Sequence, residues 1–134
     1  MAGPRRGAHV QVSEITRLAR ETLMARRRWP KVPDVLPCPG GDVAVKVVSP
    51  KEIAQYADPG EELFGCYVTE QRTIFLRSTV HGEARWRVLW HELMHVGLED
   101  SGLRNGLEHP LEEAICDALT SLVMRVVYDR PANS

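Results

Sequence analysis

His91-Glu92-Leu93-Met94-His95 puts two imidazoles four residues apart with a carboxylate between them. On a helix that spacing sets both histidines on one face, one turn apart, where they can converge on a single metal ion. Zn²⁺ accepts imidazole nitrogen at about 2.0 Å, and a neighbouring glutamate is then free to take a proton from a zinc-activated water. In a chain of this composition, chance would supply such a pentapeptide roughly one or two times in a hundred. The motif alone is therefore suggestive, and a third ligand decides the matter.

Catalytic zinc takes three protein ligands and keeps one position open. Glu113-Ala114-Ile115-Cys116-Asp117 follows 18 residues after His95, and Glu113 and Asp117, four apart, share a helical face. Glu113 is the expected third ligand. Asp117, one turn on, is placed to accept the free ring N–H of a ligand histidine and fix its tautomer. Glu112 is the rival for the third position, about 100° round the helix, with Glu108 and His109 just before it. Glu113 is preferred because it alone has the Asp four residues later.

HExxH completed by Glu-x-x-x-Asp resembles the zinc metallopeptidases of the gluzincin type, as in the thermolysin family. The small size and the strand hairpin before the motif look more like the compact phage and bacterial ImmA/IrrE-type metallopeptidases. The resemblance covers about residues 63 to 128. It implies a minimal zincin-like domain, one Zn²⁺ per chain held by His91, His95 and Glu113, and peptide-bond hydrolysis with Glu92 as general base. It also implies a protein or peptide substrate, such as a regulatory protein. No helix-turn-helix is evident, so a direct role at DNA is not favoured.

The chain has 134 residues, 43% apolar and 26% charged, as expected of one globular domain. Cys38, Cys66 and Cys116 are widely spaced and form no C-x-x-C, which points away from a disulfide framework or a cysteine zinc site. No apolar run is long enough to span a membrane, and Met1-Ala-Gly-Pro-Arg-Arg lacks the apolar core of a secretory signal. A cytoplasmic location is the expectation. The net charge of −1 is unevenly spread: residues 1 to 31 hold eight Lys/Arg against Glu14 and Glu21. Such a segment can touch nucleic acid or an acidic partner, but a solvated helix face is the favoured account of it.

The elements that must position the motif form a single α+β domain. Residues 1–9 read as a tail, residues 10–41 as an N-terminal helix and Pro-rich connection, and residues 42–128 as the catalytic core. Ser13 caps an amphipathic helix over about 13–28 carrying Ile15, Leu18, Ala19 and Leu23. Residues 29–41, with Pro30, Pro33, Pro37, Pro39 and Gly40-Gly41, read as an irregular connection. Val43–Val48 is a strand, and Ser49-Pro50-Lys51-Glu52 starts a short helix through about Ala57. Leu63–Thr69 and Thr73–Arg77 read as an antiparallel hairpin in a small antiparallel or mixed sheet. An edge strand before the motif helix can accept an extended peptide as an added strand. The motif helix should run from about Glu83 to Glu99, burying Leu89, Leu93, Val96 and Gly97. A final helix from Pro110 should bury Leu111, Ile115, Leu119, Leu122 and Val126.

The oxyanion stabiliser is open among Tyr67, His109, Arg104 and Tyr128, with His109 and Tyr67 the leading candidates. A different class of function is a non-catalytic, zinc-stabilised protein- or DNA-binding module that uses the basic N-terminal helix. Glu92 argues against it, as does the lack of an obvious fourth ligand to close the metal.

Overall fold

The computed structural model describes residues 14–15 and 29–128. Glu14 and Ile15 are helical, but the rest of the expected 13–28 helix and the 1–9 tail lie outside the described residues.

Four strands form one mixed sheet: β1 Val35–Cys38, β2 Gly41–Val48, β3 Gly65–Val68 and β4 Thr73–Arg77. Their spatial order is β1-β2-β4-β3, with β1 antiparallel to β2, β2 parallel to β4, and β3 antiparallel to β4. Three α-helices complete the described fold: α1 Pro50–Ala54, α2 Gly82–Asp100 and α3 His109–Val123, which runs on into a π-helical turn over Met124–Tyr128. This mixed α+β class is the one expected. No described helix is long and apolar enough to cross a membrane.

The strands follow their side-chain alternation. Val43 and Val45 of β2 point into the core beside Ile74 and Leu76 of β4, and Leu89 and Val96 of α2 close over them. In β4, Thr73 to Leu76 are all buried because this inner strand is covered on both faces. On the second face, Tyr56 after α1 stacks on Phe75 with ring centroids 4.9 Å apart. Helix α1 starts with the expected capping box: Glu52 N–H donates to Ser49 Oγ and Ser49 N–H to Glu52 Oε1. It ends at Ala54, a few residues sooner than expected.

Two joints fix α2 on the sheet. At its start, Arg85 donates to the carbonyls of Val80 and Ser78, bracing the turn from β4. At its end, Gly102 takes φ +79° and Leu103 N–H returns to Leu98 O, satisfying late carbonyls of the helix. Asp100 forms a two-pronged ion pair with Arg72 at 2.9 and 3.0 Å and accepts from Gly40 N–H. Arg72 Nη2 also donates to Gly41 O, so the end of α2 is clasped to the β1–β2 and β3–β4 turns.

Three expectations are corrected. Residues 35–38 are strand β1, not irregular chain; Pro37 is tolerated because β1 lies at the sheet edge, where a missing N–H costs no ladder bond. Gly97 is exposed, so the buried face of α2 is narrower than its apolar spacing suggested. On α3, Leu111, Leu119, Leu122 and Val126 are exposed, whereas Glu112, Cys116, Thr120 and Met124 face inward. The inward face is polar at Glu112 because that carboxylate has a partner on α2.

Candidate metal site

Helices α2 and α3 pack side by side and bring the two halves of the motif together. His91 and His95 stand one turn apart on α2, their rings meeting edge to face at 4.9 Å. Their Nε2 atoms are 3.3 Å apart. Glu113 Oε2 of α3 lies 3.1 Å from His91 Nε2 and 3.3 Å from His95 Nε2. A tetrahedral cation with bonds of about 2.0 Å separates its ligand atoms by roughly 3.3 Å, so this triangle has the edge lengths such an ion requires. The group can hold one metal ion.

Each outer ring nitrogen faces a carboxylate. His91 Nδ1 is 3.1 Å from Asp117 Oδ1, and His95 Nδ1 is 2.5 Å from Glu112 Oε2. These outer partners suit the tautomer in which Nδ1–H donates outward and each Nε2 is left facing the centre. In that tautomer two lone pairs and a carboxylate oxygen converge, a donor set that a cation completes.

Glu92 lies beside the triangle. Burial pushes its carboxyl above the ordinary range; His95 and then His91 pull it down, Glu113 pushes it up, and the Tyr67 main-chain N–H, which donates to it, pulls it down. That N–H is on β3, an outer strand of the sheet, so the open edge of β3 faces the site. A cleft of about 420 Å³ opens here, lined by Phe64 and Gly65 before and in β3, Val88, His91 and Glu92 of α2, and Glu113 of α3. Cys66, next to Tyr67 on β3, is pushed up to about 11 by burial, then by Glu92 and Glu61.

His91, Glu92, His95, Glu113 and Asp117 are thus brought together. His109 opens α3 in an exposed position, four residues before Glu113. The Tyr67 hydroxyl is buried without a hydrogen-bond partner, and the charges acting on it are those of Arg72, Glu99, Asp100 and Cys38, on the clasp side of the sheet. Arg104 approaches Glu99 and Glu112 at 3.7 and 3.6 Å. Tyr128 Oη accepts from Trp90 Nε1 at 3.0 Å.

Glu112 is the residue that sequence reasoning placed differently. It was a rival ligand; here its buried carboxylate holds the far side of His95. The available signal was periodicity: Glu112, Cys116, Thr120 and Met124 are spaced by four and share a face. Comparison with protein-family models, with curated proteins and with solved structures finds no match to this chain.

Proposed function

We propose that the chain is a zinc-dependent metallopeptidase with a minimal zincin-like fold, hydrolysing peptide bonds with Glu92 as general base. The observation that carries the reading is the nearly equilateral triangle of His91 Nε2, His95 Nε2 and Glu113 Oε2, with both Nδ1 atoms turned onto carboxylates. Three ligands of the His₂Glu type with a fourth position left open suit catalytic zinc better than a closed structural site. Bound zinc supplies positive charge that polarises a peptide carbonyl and acidifies a neighbouring water.

The protein's own groups do the rest. Glu92 takes the proton of the attacking water and returns it to the leaving amine. The open edge of β3 offers main-chain hydrogen bonds to an extended peptide, aligning it across the cleft without demanding particular side chains. Asp117 and Glu112 keep the imidazoles in the tautomer that leaves Nε2 free.

The test is zinc content by elemental mass spectrometry on protein purified without added metal, with His95→Ala as control, followed by hydrolysis of a peptide library. Near one zinc per chain, lost in the control, with library cleavage abolished in a zinc-retaining Glu92→Gln variant, is the expected result. No zinc in either protein would overturn the metal site. Zinc without hydrolysis would leave a non-catalytic, zinc-stabilised binding module.

A further inference from the structure

The cleft at the candidate metal site runs on past the triangle. Helices α2 and α3 are antiparallel, since His95 meets Glu112 at the start of α3 and Trp90 meets Tyr128 beyond its end. About one turn before His91 on α2 stand Arg87 and Val88, and one to two turns after Glu113 on α3 stand Asp117, Thr120 and Ser121. All five line the cleft together with Phe64. Arg87 lies about 6 Å along α2 from His91, within reach of a side chain whose backbone rests at the triangle.

Thr120 is 3% exposed, and its hydroxyl is buried with no hydrogen-bond partner. Such a group keeps the cost of its lost hydration until a partner reaches it. Threonine on a helix uses two χ1 rotamers, and turning from one to another moves the hydroxyl toward the cleft that the residue lines.

We propose that this stretch of the cleft selects a peptide residue with a carboxylate side chain, recognised by Arg87 and by the Thr120 hydroxyl. The proposal rests on the metallopeptidase reading and narrows its substrate class. Among the described residues lining the cleft, Arg87 is the one Lys or Arg. Its contact with Glu83 is a 3.5 Å pair between exposed side chains of one helix, which water screens and a better-placed carboxylate displaces. The acids of the cleft are engaged at its metal end: Glu113 faces both histidines, Asp117 is 3.1 Å from His91 Nδ1, and Glu92 accepts from the Tyr67 N–H. Rival side chains fit less well. A lysine would meet Arg87 with like charge and find Asp117 already taken. An apolar residue would seal the Thr120 hydroxyl in without a partner. An amide would satisfy the hydroxyl and leave the guanidinium without a counter-charge. A carboxylate accepts from guanidinium N–H and hydroxyl O–H together, as charge-assisted bonds.

The experiment measures equilibrium binding by fluorescence anisotropy, using the full chain with Glu92→Gln and added zinc so that no peptide is consumed. The probes are four labelled alanine-based octapeptides that differ only in carrying one Glu, Gln, Lys or Leu. The Glu peptide should bind about 10-fold more tightly than the others, the size of a hydrogen bond to a charged group. Arg87→Glu should reverse the order of the Glu and Lys peptides. Thr120→Val should weaken the Glu peptide while its urea midpoint holds or rises, because a methyl replaces a buried hydroxyl that had no partner. Equal binding of the four peptides, binding of none, or a Glu preference that survives Arg87→Glu would overturn the proposal. Hydrolysis by the wild-type chain is read separately: cleavage without a Glu preference overturns the pocket alone, and a Glu preference without cleavage upholds the pocket and overturns the metallopeptidase reading.

Discussion

His95 Nδ1 and Glu112 Oε2 are 2.5 Å apart, joining the middle of α2 to the first turn of α3 through a buried carboxylate. The carboxylate next in sequence, Glu113, reaches the opposite nitrogen of the same ring at 3.3 Å. Adjacent glutamates thus grip one imidazole from its two sides, Glu112 at Nδ1 and Glu113 at the Nε2 that faces the candidate metal position.

That division predicts different losses. Glu112→Ala should weaken zinc binding by about 10- to 100-fold while saturating zinc still gives one ion per chain, as expected when the orienting partner of a ligand histidine is removed. Glu113→Ala removes a ligand and should cost far more. Titration against a chromophoric chelator separates the two; if Glu112→Ala loses zinc and Glu113→Ala keeps it, the roles are reversed.

The thiols should be slow. Burial pushes Cys66 up to about 11 and Cys116 up to about 12, the nearby carboxylates adding to both. At pH 8 the thiolate fraction is then roughly one in a thousand for Cys66 and roughly one in ten thousand for Cys116. Cys116 is also fully buried. Reaction of the native protein with an aromatic disulfide reagent at pH 8 should leave both largely unmodified, and unfolding in urea should release all three. Rapid native labelling of Cys116 would contradict its placement on the inner face of α3.

The candidate metal site was legible in the sequence because the placing of side chains at a helix surface depends on spacing, and spacing is written in the chain. His91 and His95, and Glu113 with Asp117, needed only the helical repeat. The sheet was half legible: strand alternation marked Val43–Val48 and Thr73–Arg77, but β1 lay hidden among prolines because edge pairing forgives a missing donor. The apolar face of α3 was misread for a different reason. Apolar periodicity says that a face is apolar, not which surface covers it, and here the side of α3 turned inward carries Glu112, Cys116, Thr120 and Met124 instead. Glu112 itself was legible as an acid near the site and not as an orienting group, since that role depends on where α2 crosses α3.

The Arg72–Asp100 clasp gives a pH dependence. Its hydrogen bonds from Arg72 and then from Gly40 N–H hold the Asp100 carboxyl below the ordinary carboxylate range, against a smaller upward push from burial. The folded state therefore binds fewer protons at this site than the unfolded chain. Its contribution is present above the unfolded value of about 3.9 and is lost as pH falls through the lower folded value. Wild-type urea midpoints should drop more steeply below about pH 4 than those of Asp100→Asn, which should begin lower at pH 7. Parallel profiles for the two proteins would remove the clasp from the account.

Gly65 sets the spacing between strand and motif helix. A Cβ there would run into Val88 Cγ1 and come within 3.3 Å of Phe75 O. Val88 is β-branched and stiff on a helix, so it cannot swing aside cheaply. Gly65→Ala should force β3 away from α2, destabilising the protein by about 1–3 kcal/mol, the usual range for overpacking. The same displacement moves the Tyr67 N–H from Glu92, so peptide hydrolysis should fall while zinc content stays near one per chain. Gly65→Ala with Val88→Ala restores the space and should recover much of both losses. Urea unfolding and turnover on the three variants read this out, and a double variant no better than the single would place the strain on the Phe75 carbonyl instead.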